Sequence, residues 1–205
     1  MTCYDIVNEG GGSIMRVMCL GDSNTYGFDP RSYIGDRYPA ESRWVDILAA
    51  KTGWEVINEG ENGRSIPRWS FELEMLQRTT MDDSIDLLII MLGSNDLLQG
   101  ADAALTGKRM DGFLSWLPVP LSRVLLVAPP PMQPGAWVFE ARLLEESKKL
   151  SAIYRKVSVS KELRFADAGE WGIPLAFDGA HFTEEGHKIF AERMYQYLVQ
   201  QMISN

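Results

Sequence analysis

The stretch "MCLGDSNTYGF" (residues 18–28) decides how the rest of the chain is interpreted. An apolar run ends at a glycine and is followed at once by an acid, a hydroxyl and an amide. A plain turn after a strand would explain this order, and so would a nucleophile held at the edge of a sheet. Because a serine nucleophile needs a base and donors for an oxyanion, the other segments of the chain must distinguish the two.

Short apolar runs alternate with helical patterns along the chain. The runs are "IMRVMCLG" (14–21), "WEVINEG" (54–60), "DLLIIMLG" (86–93), "RVLLVAPP" (123–130) and, more weakly, "LRFADAG" (163–169). Helical patterns cover 42–53, 70–80, 101–117, 139–160 and 183–203, the last with Thr183 as its N-cap. Alternation of this kind predicts an α/β fold, a three-layer α/β/α sandwich around a parallel sheet.

The composition is that of one ordinary globular domain, which we place at residues 15–205. Apolar residues make up 45% of the 205-residue chain and charged residues 23%. The net charge of −8 argues against a nucleic acid partner, and no apolar run is long enough to cross a bilayer. Residues 1–14 have neither the basic start nor the apolar centre of a signal peptide. We interpret them as a flexible lead-in, with Met15 as an alternative start.

Cysteine usage points to a reducing compartment. The chain has two cysteines, Cys3 in the lead-in and Cys19 in the first apolar run. They form neither a disulfide framework nor a metal-binding pattern, which favours the cytoplasm. We expect neither a metal site nor a cofactor.

Polar groups collect where the predicted strands end, which is where a parallel sheet carries its functional groups. The segments are Gly21–Asn24, "NEGENGRS" (58–65), "GSND" (93–96) and, before the last helix, "DGAHFTEEGH" (178–187). The fourth strand ends in "APPPMQPG" (128–135), which we interpret as a stiff wall without obvious chemistry.

Histidine is scarce, and the chain has only His181 and His187. If Ser23 is a nucleophile, its base is one of these two. His181 follows Asp178 by three positions, a spacing that lets the carboxylate accept the ring N–H in a turn and stabilise the imidazolium. His187 falls in the first turn of the last helix, where the helix dipole opposes a cation, and we interpret it as a surface or packing residue.

Acyl transfer also needs donors for the developing oxyanion. The Ser23 N–H, the Gly63 N–H and the Asn95 side-chain amide are the candidates, each at the end of a different predicted strand. Each motif has a structural alternative, since Gly-Asp-Ser and "GSND" are also common as turns or helix caps. Asp22 and Asp96 are interpreted as structural, bonding nearby backbone N–H groups.

The four blocks, taken in order, resemble the SGNH hydrolases, also called GDSL esterases. "GDSNTYG" resembles the block that carries the nucleophile, here Ser23, and "NEGENGRS" the block with the oxyanion glycine, here Gly63. "GSND" resembles the third block and provides Asn95, and "DGAHFTEEGH" resembles the block with Asp178 and His181. The chain is similar to the arylesterase and acyltransferase branch in particular. It departs from that branch in having Asn24 in place of leucine and Gly63 in place of alanine.

The resemblance implies a flavodoxin-like SGNH hydrolase fold with a five-stranded parallel sheet and a shallow site, with Ser23 on a loop after the first strand. It implies a serine esterase that acts on short-acyl, small-molecule esters, with acyl transfer to alcohols as a further activity and a homo-oligomer as its assembly. Tyr26 and Phe28 are candidates for the wall of the substrate pocket.

Alternative functions remain open from the sequence. Two alternatives would use the same catalytic residues: a carbohydrate O-acetyl esterase and a lysophospholipase-like enzyme. Two come from other classes: a catalytically silent binding module and a metallophosphoesterase with Asp22, Asn95, Asp178 and His181 as ligands.

Overall fold

A computed structural model describes residues 14–32, 34–79 and 84–203, so the predicted lead-in lies outside the described residues except for Ile14. The strands are β1 (Arg16–Gly21), β2 (Glu55–Gly60), β3 (Leu87–Met91), β4 (Val124–Ala128) and β5 (Arg164–Asp167). The helices are α1 (Ser23–Tyr26), α2 (Trp44–Thr52), α3 (Ser70–Thr79), α4 (Ser94–Leu98), α5 (Ala103–Trp116), α6 (Ala141–Ser160) and α7 (Glu184–Ile203).

The five strands form one parallel sheet in the order β2-β1-β3-β4-β5. The predicted α/β fold with a five-stranded parallel sheet is therefore confirmed. The strand order reverses between β1 and β3, and this switch point is where open parallel sheets place their ligands. The segments that follow these two strands carry Ser23 and Asn95.

Helices cover both faces of the sheet, because the central strands are apolar on both sides. On one face, Met18, Ile90 and Leu126 of the strands pack with residues of α5 and α6. On the other face, alternate strand residues pack with α2 and α7, among them Trp44 and Phe190. These two cores make the three layers of the sandwich.

Helix termini follow the sequence signals closely. Gly53 ends α2 in a left-handed conformation, with its N–H donating to the carbonyl of Ala49 at 2.9 Å. The Thr183 hydroxyl accepts from the Gly186 N–H at 2.9 Å, which confirms it as the N-cap of α7. None of the helices in the described ranges is both long and apolar enough to span a bilayer.

Helices α1, α4 and α5 differ from the sequence predictions. Ser23 lies in the one-turn helix α1 and not on a loop. The segment predicted as a helix over 101–117 begins only at Ala103, because the Asp102 side chain accepts from the Leu105 N–H and caps α5 there. The separate helix α4 precedes it and begins directly after "LG" at the end of β3.

Candidate active site

The sharp turn after β1 explains why the apolar strand ends at a glycine and is followed by Asp22 and Ser23. A Cβ atom at Gly21 would lie 2.0 Å from the Thr25 hydroxyl, so only glycine lets α1 fold back over the end of the strand. The Asp22 carboxylate then accepts from the Asn24 N–H at 2.9 Å and caps the helix. The strand end, the cap and the helix together fix Ser23 as the first helical residue.

Three predicted site residues form a continuous hydrogen-bonded chain. The distance between Ser23 Oγ and His181 Nε2 is 2.9 Å, and the distance between His181 Nδ1 and Asp178 Oδ2 is 2.7 Å. All three residues are buried, with Ser23 exposed by 7% and His181 by 5%. The structure thus brings the Ser23 hydroxyl, from the end of β1, together with an imidazole and a carboxylate from the distant segment before α7.

The hydrogen bonds to Asp178 determine which ring nitrogen of His181 carries the proton. Burial by itself would raise the pKa of Asp178, but hydrogen bonds from the His181 ring and from the backbone N–H groups of His181 and Ala180 outweigh it and lower the pKa. An ionised carboxylate can only accept, so Nδ1–H is the donor to Asp178. Nε2 is then left as the acceptor for the Ser23 hydroxyl proton.

The segment that follows β2 is fixed to the residue two positions before Ser23. The N–H of Glu61 donates to the Gly21 carbonyl at 3.2 Å, and Arg64 Nη1 donates to the same carbonyl at 3.3 Å. A further bond joins the Arg64 guanidinium to the carbonyl of Glu59. These contacts hold residues 61–64 beside the end of β1.

The three N–H groups predicted as oxyanion donors lie on three different segments of the chain. The backbone N–H groups of Ser23 and Gly63 have no acceptor in the part of the chain that the structure describes. Gly63 has a φ of 77°, which other residues rarely adopt. One N–H of the Asn95 amide donates to the Arg64 carbonyl at 3.1 Å, and the second has no acceptor among the described residues.

Asp22 and Asp96 hold backbone segments in place, as the sequence analysis expected. Asp96 is fully buried, and it accepts from the Ile66 N–H at 2.9 Å and from Arg109 Nη1 at 2.7 Å. It therefore ties the segment after β2 to helices α4 and α5. Burial raises the pKa of Asp22 to about 6, in spite of its hydrogen bond from Asn24.

Two aromatic rings enclose the imidazole of His181. The centroid of Phe28 lies 4.7 Å from that of His181, and the centroid of Trp137 lies 4.9 Å from it in an edge-on arrangement. Tyr26 instead carries the Arg37 guanidinium 4.4 Å from its ring centroid. Of the two predicted wall residues, the structure therefore brings Phe28, but not Tyr26, into ring contact with His181.

Trp137 was not identified from the sequence, although it follows the fourth strand end. Its backbone N–H donates to the Asp178 carbonyl at 3.0 Å, and the Gln133 N–H donates to the Gly179 carbonyl at 2.9 Å. The segment after β4, interpreted as a plain wall, thus supports the segment of Asp178 and His181. The strand-end rule selected residues 128–135, but it gave no reason to single out the tryptophan that follows them.

His187 lies apart from this hydrogen-bonded chain. It is fully buried, with its ring 5.4 Å from that of Tyr38 and 5.3 Å from that of Phe182. Neither ring nitrogen has a hydrogen-bond partner in the described residues. Burial lowers the pKa of His187 from 6.5 to about 3. Of the two sequence interpretations, surface or packing, the structure supports packing.

The ligand set considered for a metallophosphoesterase is engaged in other contacts. Asp178 bonds His181 and two backbone N–H groups, as described above. Within the described ranges, no group of three or more His, Cys, Asp or Glu residues is arranged to hold a metal ion.

The chain matches one protein family and several solved structures. Residues 19–189 match the family described as GDSL-like lipase/acylhydrolase. No curated protein matches the sequence. Among solved structures, Est24, a carbohydrate acetylesterase from Sinorhizobium meliloti, is 27% identical, with a TM-score of 0.77 over 91% of this chain and 99% of that one. An aryl esterase from M. smegmatis is 25% identical, with a TM-score of 0.76 over the same shares of the two chains, 91% and 99%. The chain belongs to the GDSL-like lipase/acylhydrolase family and is a carboxylic ester hydrolase.

Proposed function

We propose that the protein hydrolyses short-acyl carboxylic esters through an acyl-enzyme on Ser23. The observation that carries the proposal is the hydrogen-bonded chain of Ser23, His181 and Asp178, with links of 2.9 Å and 2.7 Å. In this arrangement the hydroxyl has a base within reach, and the base has an ionised carboxylate to stabilise its charged form.

In the first half-reaction, Ser23 Oγ attacks the ester carbonyl carbon while its proton passes to His181 Nε2. The charge that develops on the carbonyl oxygen is held by the Ser23 N–H, the Gly63 N–H and the Asn95 amide, none of which needs to break another bond to serve. The tetrahedral intermediate then collapses. The alcohol leaves with the proton from Nε2, and the acyl group stays on Oγ.

In the second half-reaction, water attacks the acyl-enzyme while Nε2 takes its proton. Collapse of the second intermediate releases the carboxylic acid and returns the proton to Ser23 Oγ. An alcohol in place of water would give a new ester, and this is the acyl transfer that the resemblance implies. Asp178 stays ionised throughout and orients the ring.

The aromatic contacts support a site for small substrates. Phe28 lies against one side of the His181 ring and Trp137 against another, and Trp137 remains 51% exposed. Bulky rings beside the base shorten the space for an acyl chain, and a half-exposed indole offers a flat surface for the alcohol part. The alcohol part is a phenol in aryl esters and a sugar ring in O-acetylated sugars, and either could lie against this surface. The relatives include an aryl esterase and a carbohydrate acetylesterase.

We also propose that the protein acts in the cytoplasm without a nucleic acid partner. The buried, free thiol of Cys19 and the net charge of −8 support these two statements. We further propose that the protein self-associates, which the exposure of the large apolar side chains Trp69 and Phe71, at 56% and 67%, supports. Tyr26 is kept in the proposal as part of the substrate pocket.

A series of p-nitrophenyl esters tests the proposed function. We expect kcat/KM to be highest from acetyl to butyryl and to fall toward decanoyl, since a long chain would lie exposed and forgo about 0.8 kcal/mol for each methylene left unburied. Ser23→Ala should abolish the activity on every ester while leaving the thermal unfolding midpoint close to that of the wild type.

Two results of this series would contradict the proposal. Activity that survives in Ser23→Ala would remove Ser23 as the nucleophile. A kcat/KM that rises steadily from acetyl to dodecanoyl would make a lysophospholipase-like enzyme the better account. Acetylated sugars tested beside the aryl esters then separate the two classes of alcohol.

A further inference from the structure

Asn24 is a buried polar residue to which the proposed mechanism gives no role. Its side-chain Nδ2 donates to the Ala180 carbonyl at 3.1 Å, and its Oδ1 accepts from the Phe182 N–H at 2.8 Å. These are the two residues on either side of His181. The residue next to the nucleophile thus holds the backbone on both sides of the base.

Asn24 is itself held firmly in the fold. Its N–H donates to the Asp22 carboxylate at 2.9 Å, and its carbonyl accepts from Trp44 Nε1 at 3.0 Å. Trp44 is fully buried in the core between the sheet and α7. The side-chain amide therefore extends from a fixed backbone to the segment that carries His181.

Few bonds connect α1 with residues 178–182. Among the described residues, the two bonds of the Asn24 side chain and the bond between Ser23 and His181 are the hydrogen bonds that join them. The segment of His181 is also held by its own turn, where the Ala176 N–H donates to the His181 carbonyl at 2.7 Å, and by the segment after β4, which donates to the carbonyls of Asp178 and Gly179. None of these bonds ends on α1, so the Asn24 side chain makes the direct connection between the backbone beside the base and the helix of the nucleophile.

We propose that Asn24 is a positioning residue that keeps the His181 imidazole within hydrogen-bonding distance of Ser23 Oγ. The inference rests on the proposed function, since it takes His181 as the base. A leucine, which the resembling branch has at this position, is close to asparagine in size but can neither donate nor accept. In this chain it would leave the Ala180 carbonyl and the Phe182 N–H without their partner.

Two substitutions of similar volume separate positioning from packing. Asn24→Leu removes both hydrogen bonds. Asn24→Asp keeps the acceptor for the Phe182 N–H and regains the donor to Ala180 only when its carboxyl group is protonated. Asp102→Ala is the control, because it removes the cap of α5, where the Leu105 N–H donates to Asp102 at 2.7 Å, and lowers stability without removing a hydrogen bond to α1 or to residues 178–182.

The kinetic test uses p-nitrophenyl acetate. We expect Asn24→Leu to lower kcat by roughly 10²-fold, the loss that a displacement of about 1 Å can cause, with KM changed only a few-fold. We expect Asp102→Ala to keep the wild-type kcat. The kcat of Asn24→Asp, relative to the wild type, should rise as the pH is lowered and its carboxyl group is protonated. Wild-type kcat in Asn24→Leu, or an equal loss in Asp102→Ala, would overturn the inference.

A readout without turnover distinguishes this inference from the proposed function. The chain has two histidines, so proton NMR of the imidazole signals can follow the Nδ1–H that His181 donates to Asp178, with buried His187 as an internal reference. We expect this proton to exchange faster in Asn24→Leu and the His187 signals to change little. An unchanged His181 signal would refute the positioning role. If the wild type hydrolyses no ester but the signal changes as expected, the proposed function fails and the positioning role stands.

Discussion

The two histidines lie in one segment of the chain, on either side of the start of α7, yet they have opposite surroundings. Both ring nitrogens of His181 are hydrogen-bonded, one with a carboxylate and one with a hydroxyl. Neither ring nitrogen of His187 has a partner in the described residues, and its ring is packed between Tyr38 and Phe182. The difference teaches that the partners of an imidazole, and not its presence, make a candidate base.

Charge stabilisation explains why only one of the two rings suits catalysis. A base must hold a proton in the transition state, and Asp178 lies 2.7 Å from His181 to balance that charge. His187 has no such carboxylate, and burial lowers its pKa to about 3. At neutral pH it is a neutral core residue whose ring does not retain the second proton that would make it a cation.

Removing the carboxylate should make His181 behave more like His187. We expect Asp178→Asn to lower kcat on p-nitrophenyl acetate by roughly 10⁴-fold, because an amide that donates to Nδ1 moves the ring proton to Nε2, where it blocks acceptance from Ser23. Steady-state kinetics on the variant measure the loss. A decrease of less than tenfold would mean that His181 does not depend on its partner as the comparison requires.

The buried histidine should show itself in the pH dependence of stability. The unfolded chain protonates His187 near pH 6.5, whereas the folded chain does so only near pH 3. The free energy of unfolding that this residue contributes is therefore present above pH 6.5 and is lost as the pH falls toward 3. We expect His187→Phe, which keeps an aromatic ring in place, to lose less stability over this range while retaining most of the activity.

Asp22 acts in the opposite direction over part of the same range. Its pKa is raised from 3.8 to about 6, so the folded chain binds that proton first and gains stability as the pH falls from 6 to 3.8. Asp22 is present in both proteins, so the difference between wild type and His187→Phe isolates the histidine. Denaturant unfolding at several pH values measures it, and parallel losses in the two proteins would refute the assignment.

Much of the fold could be predicted from local sequence patterns. Apolar runs identified the strands because β1, β3 and β4 are buried on both faces, and Gly53 and Thr183 marked helix ends by local bonds. Because the carboxyl ends of parallel strands meet at one edge of a sheet, the strand assignments also placed the polar segments at that edge.

What could not be predicted depends on contacts between distant segments. Asn24 reads as an ordinary turn residue until its amide is seen to bond the backbone beside His181. Trp137 acquires its place only because the segment after β4 is hydrogen-bonded to Asp178. The helix α1 replaces the expected loop because the close contact at Gly21 folds it over the strand end.

Covalent labelling of Ser23 tests the central claim most directly. A fluorophosphonate reacts with an activated serine hydroxyl, and mass spectrometry of peptides locates the adduct. The account predicts a single adduct on Ser23 at similar rates in the wild type and His187→Phe, and labelling slowed by roughly 10²–10⁴-fold in His181→Ala. An adduct on another residue, or slow labelling in His187→Phe together with normal labelling in His181→Ala, would contradict it.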